Sequence, residues 1–383
     1  MEYLIIILIL LIIHPYIIYP LILTLLNKGI GRTNKLSEYN QHDYPKVSVL
    51  IAAYNEEKVI SDKIINTLNL DYPTEKLQIV VGSDGSQDNT NDIVASFAKK
   101  YPQIILLDFK DRAGKANIIN KSIIYCEGEI IVLSDANAMY NKLAIKNIVK
   151  NFSDSNVGCV AGEKRMSITD GQDSIGQNEG LYWKLESYIK AQESILFTVI
   201  GADGALYAIR RELFRPLPEN TSVDDFLLSM LIVSQGYKIK YEPNAYSYEF
   251  SGETLSVEYR RKVRIAAGNF NNLKHLKKFM GFKLVSFMFI SHKLLRWVSP
   301  FIFIFLSCLL LIRESPVNKF GFIILSLSYL LAMLGYIYQN TLFGKMKVVS
   351  IVTHFYLTVL AQLQGLIKFL TGIQKATWDT ARK

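Results

Sequence analysis

The sequence predicts an α/β domain with a parallel sheet, set between apolar segments long enough to cross a membrane. Three observations carry that prediction. The chain is 50% hydrophobic over 383 residues, and the excess lies at its two ends. Between them, strand-like and helix-like patterns alternate at the spacing of parallel strands joined by crossover helices. Three polar clusters, Tyr54-Asn55-Glu56, Asp84-Gly85-Ser86 and Asp135-Ala136-Asn137, each follow an apolar strand run.

Tyr3–Leu26 is apolar almost throughout, enough for a helix that needs about 20 residues to span the hydrocarbon core. Pro15 and Pro20 fall inside it, which membrane helices tolerate. It does not read as a cleaved leader: no basic segment precedes it and no A-x-A site follows. Lys28, Arg32 and Lys35 come after the span, so the positive-inside rule places the next domain in the cytoplasm. The segment 1–27 is therefore expected to be a retained anchor and 28–44 a juxtamembrane linker.

The domain predicted over 45–272 opens with a buried strand, Val47–Ala52. Val59, Ile60, Ile64 and Leu68 then give Glu56–Leu68 helical spacing. "LQIVVGSDGSQDNTNDIVASFAKKY" repeats strand, polar turn and helix, with Asp88, Asn89 and Thr90 offering N-cap chemistry. "QIILLDF" is a third strand, "GKANIINKSIIYC" a helix and "EIIVLSDANAMY" a fourth strand. In such sheets ligands sit beyond the carboxyl ends of the strands, so the three polar clusters should converge on one crevice.

Beyond this domain, 273–293 mixes lysines with Phe, Met and Leu, a pattern suited to an amphipathic segment on the inner membrane surface. Leu294–Ile312 and Phe320–Tyr338 read as two spans joined by "RESPVNK" within a region 294–383. His354, Gln362 and Gln364 interrupt Val348–Leu370, and the tail "KATWDTARK" is basic. That helix is expected to be interfacial or re-entrant, which keeps the tail inside.

The formal net charge of +9 is explained by basic runs beside apolar spans facing anionic lipid, and nucleic acid need not be invoked. Cys126, Cys159 and Cys308 have neither disulfide nor zinc spacing, and five scattered histidines make no metal site. No GxGxxG and no Walker lysine loop is present, which speaks against dinucleotide redox and P-loop chemistry. A nucleotide suits the crevice: carboxylates accept from ribose hydroxyls, and Asp or Asn oxygens suit a hard cation on phosphates. An Asp-x-Asn triplet alone fits an ordinary strand-end turn equally well.

Seven segments, "VSVLIAAYNEE", "VGSDGSQDNT", "RAGKANIIN", "LSDANAMY", "GADGALYAIRREL", "VDDFLLSMLIVSQGYKIKYEP" and "RRKVRIAAGNF", occur in one order over Pro45 to Phe270. Together they resemble the membrane-bound inverting glycosyltransferases of family two, whose fold is GT-A and which include hyaluronan, chitin and cellulose synthase relatives. The resemblance implies a cytoplasmic GT-A domain at a cell membrane, with a nucleotide-sugar donor, UDP-linked, carrying a hexose or N-acetylhexosamine. The acceptor it implies is a cell-surface polysaccharide or a lipid-linked glycan. Ala53, Tyr54, Glu56 and Asp84 would contact the base and ribose, and Lys115 and Asn117 the ribose and phosphates. Asp135 and Asn137 would hold Mg²⁺ or Mn²⁺, with Asn137 where the family usually has a second aspartate. Asp225 would be the general base, with Gly201, Asp203, Gly204 and Asp224 on the acceptor side.

The family's Gln-x-x-Arg-Trp segment keeps only its arginine, Arg264. Arg261 replaces the glutamine and Ile265 the tryptophan. At i and i+3 the two arginines share a helix face and could reach the diphosphate, while the missing tryptophan weakens the case for long-chain polymerisation. Acidic residues at a helix start also cap helices, an alternative for Asp224 and Asp225. A catalytically degenerate nucleotide-sugar-binding subunit of a glycan assembly or export complex is the competing reading, and a homo-oligomer or export partner is left open.

Overall fold

A computed structural model describes residues 2–29, 43–167, 174–250, 255–281, 283–312 and 315–372. The expected linker lies mostly outside them, as does the basic tail. At the N-terminus α1 (Glu2–Ile13) continues through a wide turn, His14–Ile18, into α2 (Tyr19–Asn27). Pro15 sits in that turn. A proline has no amide to donate and its ring crowds the carbonyl four residues back, so the ladder loosens there without breaking the rod.

The domain is one eight-stranded sheet. Its first half is built from β1 (Val47–Ala53), α3 (Ile60–Leu68), β2 (Leu77–Asp84), α4 (Thr90–Lys100), β3 (Ile104–Phe109), α5 (Lys115–Ser122) and β4 (Ile130–Asp135). β5 (Met139–Tyr140), α6 (Ala144–Val149), β6 (Val157–Ser167), α7 (Ser174–Leu196), β7 (Tyr207–Arg210), α8 (Asp224–Ser234), β8 (Lys238–Phe250) and α9 (Leu255–Asn272) complete it. The strand order is β3-β2-β1-β4-β7-β6-β8-β5. The four expected strands are mutually parallel, and β7 then runs antiparallel to both β4 and β6.

Every residue of β1 and β2 is buried, which is why they read as unbroken apolar runs rather than alternating ones. Val49, Ile51, Ile79 and Val81 pack on one face with Ile60, Ile64 and Val94 of α3 and α4. Leu50, Val80, Ile131 and Leu133 pack on the other with α5, α7 and α8. Two boundaries differ from expectation. Glu56 accepts from the amides of Val59 and Ile60, so α3 begins only after this turn. The expected fourth strand breaks at Asp135; the chain turns, and β5 joins the far edge of the sheet beside β8.

After α9 come two short turns, Leu273–His275 and Lys277–Phe279. Then α10 (Leu284–Phe289) runs through the wide turn Ile290–Leu294 into α11 (Leu295–Ile312). α12 (Pro316–Ile337), α13 (Leu342–Lys345) and α14 (Lys347–Leu370) follow. Among the described residues four helices are long and apolar enough to cross a membrane: Glu2–Asn27, Leu284–Ile312, Pro316–Ile337 and Lys347–Leu370. The second starts ten residues before the expected span, taking in part of the expected interfacial stretch. α12 turns Val317, Phe320, Ile324 and Leu327 outward, as a lipid-facing helix does. α14 packs on α9, where Gly365 lies against Ala266 and Ala267.

The apolar helices meet the domain through buried charge on α7. Glu193 accepts from the hydroxyl of Tyr19 at 2.7 Å and from the amide of Ile200 at 3.0 Å. His292 lies between the carboxylates of Glu193 (2.8 Å) and Glu186 (3.1 Å). Arg296 donates to Glu186 at 2.8 Å and to the carbonyl of Pro15 at 3.2 Å, and Lys293 also pairs with Glu186. Glu186, Glu193 and His292 are all buried.

Candidate active site

Parallel register sets the carboxyl ends of β1, β2 and β4 side by side: Ala53 pairs with Ser83, and Ala52 with Asp135. Ala53 is buried and can offer only backbone. The loops after β1 and β2 are latched together. Asn55 donates its amide to Ser86 Oγ at 3.1 Å and accepts from the amide of Gln87 at 2.8 Å. The amide of Glu56 donates to Thr90 Oγ1 at 2.8 Å. Asn55 is the one described non-glycine residue with positive φ, at 51°, a conformation asparagine tolerates better than most. Tyr54 stacks under the guanidinium of Arg112, 3.8 Å from its ring centroid.

Asp84 ends β2. Its side chain is wholly buried, and its carboxylate accepts from the amides of Ala113 (2.6 Å) and Gly114 (2.9 Å). In this structure it holds the loop entering α5. Asn117 donates to the carbonyl of Ala113 at 2.7 Å, bracing the same loop. That loop launches Lys115.

Lys115 Nζ lies 2.8 Å from Asp135 Oδ1 and 3.4 Å from Asp224 Oδ2. Gly204 faces the same group. A Cβ there would stand 3.1 Å from Asp225 Oδ2, 3.3 Å from Lys115 Nζ and 3.5 Å from Asp135 Oδ2. Gly204 thus leaves open a small cradle on which three expected site residues converge from β4, α5 and α8. Gly201 serves the loop differently: its φ is +89°, and a side chain would strike the Phe226 ring. Asp203 pairs with the buried Lys190 of α7.

Charge is shared unevenly among these groups. Burial pushes the Asp225 carboxyl up to about 7, Asp224 adding to the rise and Lys115 opposing it. Burial would also raise Asp135, but Lys115, Lys164 and Arg264 together hold it below its ordinary value. The Lys115 amine is raised because Asp135, Asp224 and Asp225 outweigh the cost of its burial. Burial draws Arg264 down while Asp135, Asp224 and Asp225 act against it. Arg264 therefore belongs to the electrostatics of the crevice, one turn beyond Arg261 on α9. The site accordingly holds one carboxylate kept ionised and one titrating near neutrality.

Among the described residues no three His, Cys, Asp or Glu side chains are arranged to hold a metal ion. What is present still fits a hard divalent cation carried in with phosphate. Lys115 takes Oδ1 of Asp135, leaving Oδ2 toward the cradle, and Asn137 follows two residues later with an amide oxygen. Such oxygens suit Mg²⁺ or Mn²⁺, the phosphates completing the shell. Sequence reasoning missed Lys164 and Lys190, which are single basic residues without motif spacing, and gave no role to Arg112, which opens the "RAGKANIIN" segment.

A mixed sheet with a polar crevice at the carboxyl ends of β1, β2 and β4 is the α/β arrangement expected of a GT-A domain. The comparisons agree. Residues 48–217 match the family model Glycosyl transferase family 2. It is 30% identical over 264 residues to "Probable glycosyltransferase YdaM" of Bacillus subtilis, covering 64% of this chain and 60% of that one. It is 28% identical over 240 residues to the poly-beta-1,6-N-acetyl-D-glucosamine synthase of Staphylococcus aureus, covering 61% and 57%. The matches thus span about three fifths of those relatives. In fold it resembles the mannosyltransferase PcManGT of Pyrobaculum calidifontis, solved with GDP-Man and Mn²⁺: TM-score 0.73, 21% identity, 96% of this chain and 98% of that one.

Proposed function

We propose that this protein is a metal-dependent inverting glycosyltransferase, moving a sugar from a nucleotide donor, UDP-linked, to a polysaccharide or lipid-linked glycan at the cytoplasmic face of a membrane. The observation that carries this reading is the convergence of Asp225, Lys115 and Asp135 on the cradle at Gly204. Asp225 is the general base. A carboxylate titrating at about 7 is both ionised and basic enough at neutral pH to take a proton from the acceptor hydroxyl. That oxygen attacks the anomeric carbon from the face opposite the leaving diphosphate. Lys115 and Arg264 meet the charge that develops on the departing phosphates. A divalent cation held by Asp135 and Asn137 would supply further charge compensation there.

Further support comes from the relatives: glycosyltransferases by name, one of them a polysaccharide synthase. The solved mannosyltransferase of similar fold binds a nucleotide sugar with Mn²⁺. Asp84 and Asn117 serve this site by holding the loop that presents Lys115, and Tyr54 with Glu56 forms the base-side wall. Asp203 and Gly204 line the acceptor side.

The test is release of nucleoside diphosphate by purified protein in detergent, across UDP- and GDP-sugars with Mn²⁺ or Mg²⁺, beside Asp225→Asn. Metal-dependent release from one donor, lowered about 10²–10⁴-fold by the substitution, is expected. Wild-type protein that neither releases nor binds any nucleoside diphosphate with metal would refute the reading.

A further inference from the structure

Lys63 is a lysine on the buried face of a helix. It shares that face of α3 with Ile60, Ile64 and Thr67 and is 0% exposed. Its ammonium donates to the carbonyl of Ala138 at 2.5 Å and lies 3.3 Å from the centroid of the Tyr140 ring. Among the described residues it has no carboxylate at ion-pair distance. One turn on, Asn66 closes a second clasp: Nδ2 donates to the carbonyl of Tyr140 at 3.0 Å, and Oδ1 accepts from the amide of Tyr140 at 2.8 Å. The target of both is the chain leaving β4. Ala138 is three residues past Asp135 and one past Asn137, and its amide returns to the carbonyl of Asp135 at 3.2 Å.

We propose that Lys63, with Asn66, is a positioning residue that fixes the Asp135–Tyr140 turn and so sets where Asn137 presents its amide oxygen. The inference rests on the glycosyltransferase reading above. Its physical basis is the weakness of the ligand it serves. An amide brings no net charge to a cation, so its contribution depends on its oxygen being held at ligand distance, and Mg²⁺ in particular demands near-ideal geometry. β4 has already ended at Asp135, and β5 is only two residues long, so the sheet ladder does little to hold the intervening turn. A side chain reaching up from α3 supplies the missing constraint. Burial lowers the Lys63 amine well below its ordinary value, with the Asp135 carboxylate opposing. The clasp survives either state, since a neutral amine also donates to a carbonyl.

The experiment is calorimetric binding of UDP and GDP to the full chain in detergent, with and without Mn²⁺, for wild type, Lys63→Met and Asn66→Ala, beside thermal melts. Wild type should bind one nucleotide more tightly with Mn²⁺. Both variants should keep the metal-free affinity but lose about tenfold of the metal-dependent gain. If Lys63→Met does not fold, Asn66→Ala carries the same expectation, its side chain being only partly buried. Folded variants with the full metal-dependent gain would overturn the proposal and leave the transferase reading intact. A variant that loses metal-free and metal-dependent binding alike would show a merely structural lysine. Wild type binding neither nucleotide with metal would refute the transferase reading, and this inference with it.

Discussion

At Asp225 a single carboxylate carries two consequences of opposite sign. Its raised value of about 7 means that activity should climb with pH on the acidic side and level off above neutrality, an acidic limb that Asp225→Asn abolishes. The same shift costs stability. The folded state binds the proton more tightly than the unfolded state, so the favourable contribution is complete below the unfolded value and is lost as pH rises through about 7. Asp225→Asn should therefore melt higher than wild type at pH 8 while turning over far more slowly. A variant that melts lower at pH 8 would contradict the assigned environment. Gly204 gives a second test. Its φ lies outside the positive range, so alanine suits the backbone, and the added methyl presses only on the tips of Asp225 and Lys115 at 3.1 and 3.3 Å. Gly204→Ala should keep its melting temperature and lose roughly tenfold or more in nucleotide-diphosphate release, because small displacements at a reacting centre are costly.

Among the elements, the parallel half of the sheet was legible and the mixed half was not. β1, β2 and β4 announce themselves because strands covered on both faces are continuous apolar runs ended by polar turns; the half-buried edge strand β3 shows an apolar run too. β7 is four residues and β5 two, too short for any periodicity to register. β8 opens on the alternation Lys238-Ile239-Lys240-Tyr241-Glu242, a half-buried strand pattern that the reading by apolar runs passed over. The site followed the same division. Asp135, Lys115 and Asp225 were readable because each sits in a motif at the start or end of an element. Asp84 was placed correctly in the fold, but its burial was invisible, since a sequence does not say which loop will close over a strand end. Lys63 did leave a trace. It falls at i+3 from Ile60 and i+4 from Val59, on the stripe where an apolar residue belongs, and a charge there signals a buried partner. α14 offers a test at this scale. A Cβ on Gly365 would come within 2.4 Å of Ala266 Cβ and 2.8 Å of the Ala267 amide. Gly365→Val should push α14 off α9, the helix that bears Arg264. Weaker donor binding, read as a raised KM for the nucleotide sugar with a smaller change in kcat, is the expected outcome. An unchanged KM would detach α14 from the site.

For the molecule as a whole, the buried charges on α7 tie the catalytic domain to both ends of the chain. Separating a buried ion pair from its partner costs about 3–5 kcal/mol, comparable with the whole stability of many domains. A chain cut to residues 43–281 would leave Glu186 and Glu193 without Tyr19, His292, Lys293 and Arg296. It is expected to aggregate or melt well below the full-length protein in detergent; a soluble fragment with the full-length melting temperature would show that α7 does not need the membrane helices. These contacts also impose an order on synthesis. The bond from Arg296 to the carbonyl of Pro15 spans 281 positions, so it can close only after nearly three hundred residues have been made. Glu186 and Glu193 likewise gain His292, Lys293 and Arg296 only once that later helix has been made. The last ion pairs of α7 therefore close late, after every strand of the sheet has been made.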